Sequence, residues 1–200
     1  MEIASDVPVD LPTMRAADEL DREAIVAATR DWLEKAVIGL GLCPFAGGAY
    51  RNDRIRFQVS VQESPEGLRQ DLARELLHLQ STDPLLCETT LLIHPLVLND
   101  FADYNQFLDE ADAAVLELGL EGQLQIASFH PAYQFAGSGP NEIENYTNRA
   151  PYPTLHLLRE SSVTHATATF PGVAEIGERN MATLRALGEL GWRRLWTRRD

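Results

Sequence analysis

Residues 54–61, Arg-Ile-Arg-Phe-Gln-Val-Ser-Val, alternate without a break. Ile55, Phe57, Val59 and Val61 share one face, and Arg54, Arg56, Gln58 and Ser60 share the other. A period of two belongs to a half-buried strand, here suited to a sheet edge. The period then changes. Ser64-Pro65-Glu66 is a helix start, with Ser64 as cap and Pro65 in the first turn. Leu68, Leu72, Leu76 and Leu79 recur at helical spacing until Asp83-Pro84. A chain that switches period in this way, and does so repeatedly, is constrained to a sheet covered by helices.

The switching continues. The apolar run 89–95 (TTLLIHP) suits a central strand. Residues 99–119 read as a helix capped by Asn99 or Asp100, with Tyr104, Leu108, Ala111, Val115 and Leu118 as its stripe and Gly119 as its stop. Residues 123–131 (QLQIASFHP) form the next strand. Residues 154–160 (TLHLLRE) fit a strand or a helix start, and we read a strand. Helices are expected over 160–168 and 175–196. Before the first strand, Ile25, Thr29, Trp32, Ala36 and Leu40 mark a helix that Gly39 and Gly41 stop, and a turn-rich connector follows. The expectation is a single layered α/β domain over residues 19–200, preceded by an acidic flexible tail at 1–18. Its sheet is mixed and mostly parallel, of about four strands flanked by helices, with ferredoxin-like and thioredoxin-like variants both open.

Charge narrows the partners. The 200 residues carry a formal net charge of −13 and the pI is about 4.7. An acidic surface repels a phosphate backbone, so nucleic acid is disfavoured. The arginines at 193, 194, 198 and 199 read as the charged face of a closing helix. No apolar run reaches the roughly 18–20 residues of a membrane span, and the N-terminus lacks a signal-peptide pattern, so we expect no membrane and a cytoplasmic setting. Two cysteines, Cys43 and Cys87, do not make a disulfide framework.

Two strands end in His-Pro. If they are parallel neighbours, His94 and His130 reach one sheet edge, where open α/β sheets bind ligands. Residues 130–153 begin there as a long irregular loop. Tyr133 and Tyr146 offer flat walls, Asn145 and Asn148 donors and acceptors, and Arg149 a fork for carboxylate or phosphate. Arg149 could also pair with Glu142 or Glu144. Loops of this length tend to be functional or disordered, and the aromatic residues of this one favour a functional reading.

The first reading is therefore an enzyme for a small anionic molecule. His130 does acid–base work helped by His94, Arg149 with Asn145 or Asn148 holds the anion, and His156 joins Tyr133 and Tyr146 in the lining. Cys43, in a glycine-rich turn, is a candidate nucleophile or a small buried hydrophobe. A second reading is a non-catalytic module that binds a ligand or protein. A third places zinc or iron on His94 and His130 with Cys43 or His156. No nucleotide-loop, zincin or serine-hydrolase motif is present, and the residues name no cofactor and no oligomeric state.

The segments 40–46 (LGLCPFA), 89–95 (TTLLIHP), 101–109 (FADYNQFLD), 128–137 (SFHPAYQFAG) and 145–160 (NYTNRAPYPTLHLLRE) resemble a bacterial family described as a domain of unknown function, of about this length. The likeness spans residues 20–196. It rests on Cys43, Pro44, His94, His130, Pro131, Tyr133, Asn145, Asn148, Arg149, Pro151 and His156, and it implies kinship without implying a reaction.

Overall fold

A computed structural model describes residues 20–170 and 172–196. The expected acidic tail, and Arg198 and Arg199, lie outside the described residues. Six α-helices and four strands follow one another: α1 Arg22–Trp32, α2 Ala46–Arg51, β1 Ile55–Val59, α3 Pro65–Ser81, β2 Thr89–Ile93, α4 Phe101–Glu117, β3 Leu124–Phe129, β4 Thr154–Arg159, α5 Glu160–Thr169 and α6 Ile176–Arg194. A π-helical turn, Leu33–Ile38, continues α1, and short 3-10 turns occupy Ile143–Asn148 and Val173–Glu175.

The sheet runs β1-β2-β4-β3. β1 pairs β2 in parallel, with Phe57 opposite Leu91. β4 is antiparallel to both β2 and β3, with His156 opposite Leu91 on one side and Ala127 on the other. Three strands therefore point the same way, while one neighbouring pair is parallel. The mixed four-stranded sheet agrees with the expectation. Residues 154–159 are a strand, and the alternating segment is an edge.

Packing follows from the side-chain alternation. Leu92, Leu155 and Leu157 face α3 and α4, where Leu68, Leu72, Leu76 and Leu79 are fully buried. Burying each such leucine contributes about 1.5–3 kcal/mol. Leu91 and Ile93 face the other way, toward Ile25, Trp32, Ala36 and Leu184. β2 is buried along its whole length, which explains why its sequence is an apolar run with no alternation.

The ends of α3 and α4 obey their sequence signals. Ser64 accepts from Gly67 N at 3.2 Å, and Asp100 accepts from the backbone of Ala102 and Asp103. The C-terminus of α3 is closed from a distance. The buried Arg159 donates to the carbonyls of Leu79 and Thr82 at 2.6 Å and to that of Cys87, satisfying acceptors that a helix leaves open.

Three stretches depart from the expected pattern. The first helix widens into the π turn. Gly39 closes it because a Cβ there would stand 2.4 Å from the Lys35 carbonyl oxygen. The connector also contains α2, whose buried residue is Ala49. α6 is broken at Gly188, where φ is +63° and ψ is 173°, a conformation that glycine permits.

Candidate functional site

The strand ends converge as expected, by a different pairing. β2 and β3 are not neighbours, because β4 lies between them. Both run antiparallel to β4, so His94 and His130 still emerge at one edge. Tyr104 of α4 stands between the two imidazoles. Its ring centroid is 5.7 Å from that of His94 and 5.0 Å from that of His130. Its hydroxyl donates to Thr154 O at 2.9 Å and accepts from Phe129 N at 3.2 Å, tying β4 to β3. Phe101 packs on His130 and Tyr133, extending the cluster outward.

Hydrogen bonds fix the state of each ring. Leu98 O can only accept, so His130 Nε2 carries the proton that reaches it at 3.2 Å. His130 Nδ1 then accepts from Ala132 N at 3.0 Å. Both nitrogens are spent on backbone. Leu98 holds φ at +58°, a left-handed conformation that costs a leucine about 1–2 kcal/mol, and the bond from His130 holds its carbonyl in place. His94 Nδ1 donates to Val97 O at 3.0 Å. Its Nε2 is buried and has no partner among the described residues. Burial lowers the pKa of His94 to about 4, against the opposing pull of the Val97 carbonyl. Burial also lowers His130, although its bond to Leu98 and the Asp100 charge act the other way. Two neutral imidazoles thus brace the link between β2 and α4.

The loop is equally self-contained. The buried Asn145 accepts from Phe135 N and Ser138 Oγ and donates to Gly139 O at 2.8 Å. Asn148 donates to Ser128 O at 3.1 Å. Arg149 donates to Tyr133 O at 3.2 Å and Pro140 O at 2.6 Å, and its guanidinium lies 4.4 Å from the Tyr146 ring centre. It pairs with neither Glu142 nor Glu144. Arg185 of α6 takes Glu144 instead, at 2.5 Å. Tyr146 packs edge-on against Trp192 of α6, and Tyr133 against Phe135.

Three expected participants, Cys43, Tyr146 and His156, lie on the opposite side of the sheet from Tyr104. Cys43 packs with the core there. His156 lies against Phe129 and 2.7 Å from Thr89 Oγ1, and burial lowers its pKa to about 4. Among the described residues, no three His, Cys, Asp or Glu side chains come together as a metal-binding group. The residues of the metal reading are thus divided between the two faces of the sheet.

An open concavity lies on the other side of the loop. A groove of about 400 Å³ separates residues 135–147 from the start of α6, lined among others by Phe135, Gly137, Glu144, Asn180, Met181 and Arg185. The loop half carried a signal in its glycines and aromatic residues. The α6 half carried none, because Arg185 meets Glu144 across 41 positions of sequence.

Fold and site together define a single α/β domain with a structured strand-end loop. The chain matches the family model "Protein of unknown function (DUF1415)" over residues 24–194 and belongs to that family. No curated protein and no solved structure matches it.

Proposed function

We propose that the protein is a small-ligand-binding module whose ligand sits in the groove between the 135–147 segment and α6. One observation supports this reading. The polar groups first expected to do chemistry hold backbone: both nitrogens of His130, the amide of Asn145 and the guanidinium of Arg149. They shape the loop, and its outer side is left to form an open concavity with α6. Pre-formed concave sites of a few hundred Å³ are the usual seats of small ligands.

Gly177 supplies the test. It lines the groove, and a Cβ built on it meets nothing within 4 Å. Gly177→Leu places a side chain at the groove, from a Cβ position that is open, and replaces a poor helix former. A thermal-shift screen against metabolites should yield ligands that raise the Tm of the native protein and not that of the variant. Equal stabilisation of both proteins, or no stabilisation of either, contradicts the reading.

A second reading retains catalysis, and His94 is the reason. Its Nε2 is a buried base without a partner. It requires an opening that brings substrate to the residue, which is fully buried beside Tyr104. His94→Asn keeps a donor for Val97 O. If that variant keeps its fold yet no longer converts a molecule that the native protein converts, catalysis is the function; unchanged conversion removes this reading.

A further inference from the structure

We infer that the groove selects an organic cation, a molecule with an ammonium-like head and an apolar body. This rests on the ligand-binding reading and adds the chemistry of the ligand.

Asn180 is the central residue. It lines the groove, is only 7% exposed, and donates through Nδ2 to Leu42 O at 2.9 Å. A carbonyl cannot donate, so this bond fixes the amide orientation and leaves Oδ1 as the free end. Oδ1 receives no hydrogen bond from the described residues. The residue is largely buried and its Oδ1 is not sealed from solvent, so this acceptor is open to an N–H group of a ligand in the groove.

The surrounding charge agrees. Arg185 is the one cation among the lining residues, and Glu144 holds it in an ion pair. The Glu144 carboxyl lies below its usual pKa, through a backbone hydrogen bond first and Arg185 second, so the pair stays ionised. Glu142 adds a second carboxylate, which accepts from Gly139 N at 2.9 Å. The lining residues thus carry one excess negative charge. The first turn of α6 would by itself favour an anion, but Glu175 just before it and Glu178 within it oppose that field. Phe135 and Met181 supply apolar wall for the rest of the molecule.

Three probes with one apolar body and different heads separate the possibilities: 4-phenylbutylamine, 4-phenylbutanol and 4-phenylbutyrate. Titration calorimetry on the full chain should show the amine binding at least about tenfold more tightly than the other two. Glu142→Gln should weaken the amine by about three- to tenfold and leave the alcohol unchanged. Glu144→Gln, which frees Arg185, should narrow or reverse the preference over the butyrate. If the alcohol or the acid binds as well as the amine and Gly177→Leu abolishes it, the cation assignment fails while the groove reading stands. If binding of all three is indifferent to Gly177→Leu, the groove reading fails. If none binds below about 10 mM, the cation assignment is overturned.

Discussion

The 130–153 loop has two sides with opposite characters. Its inner side is closed: His130, Asn145, Asn148 and Arg149 each donate to or accept from main chain, and the rings of Tyr104, Phe101 and His130 fill the space beneath. Its outer side is open, and Asn180 brings to it an oxygen without a donor. The residues most suggestive of chemistry lie on the closed side. An irregular segment inside a compact domain has many backbone groups to satisfy, and histidine, asparagine and arginine suit that work as well as they suit a substrate. A side chain with rich donor capacity is thus a weak sign of a site until its partners are known.

The sharpest way to break this contrast is on the closed side. Tyr104→Ala removes a fully buried ring together with its hydrogen bonds to Phe129 N and Thr154 O. It should cost about 3–5 kcal/mol in urea denaturation. A loss under about 1 kcal/mol would show that the cluster is not a brace.

Acid acts next. The His94 pKa is about 4 in the folded chain and about 6.5 in the unfolded one. Between those values the unfolded chain binds the proton and the folded chain does not, so stability falls as pH drops from about 6.5 to about 4. The full loss at this residue is on the order of 3 kcal/mol. His156, also lowered to about 4, acts in the same window. Comparing native protein with His94→Asn across that window isolates the His94 share; identical profiles would contradict the burial of a neutral ring.

Smaller effects follow for the loop. Arg149→Ala should cost about 1–2 kcal/mol and speed proteolysis within residues 131–142, because two carbonyls lose their donor. Glu142→Gln, on the exposed rim, should stay within about 0.5 kcal/mol of the native stability. Equal losses from both would erase the distinction between the two sides.

Local pattern made much of this legible. The β1 alternation, the α3 leucine stripe, the Ser64 and Asp100 caps and the two His-Pro stops are each decided within a few residues. What escaped depends on distant partners. The insertion of β4 between β2 and β3 is a pairing across the loop. The sequence around Arg149 offers Glu142 and Glu144, yet carbonyls take the guanidinium and α6 takes Glu144. The π turn escaped for another reason: the spacing of Trp32, Ala36 and Leu40 fits an ordinary helix, and only the hydrogen bonds reveal the wider turn. Tyr104 was legible as core, but nothing local marked it as the ring between two imidazoles.

The central claim is that this protein meets its ligand on the outer side of the loop. Amide chemical shifts of the 15N-labelled chain, followed while the tightest stabilising ligand is titrated in, test it directly. The largest changes should fall on Gly137, Ser138, Thr147, Gly177 and Met181, with His94, Tyr104 and His130 nearly still. Large changes at those three residues and none along the groove would contradict it.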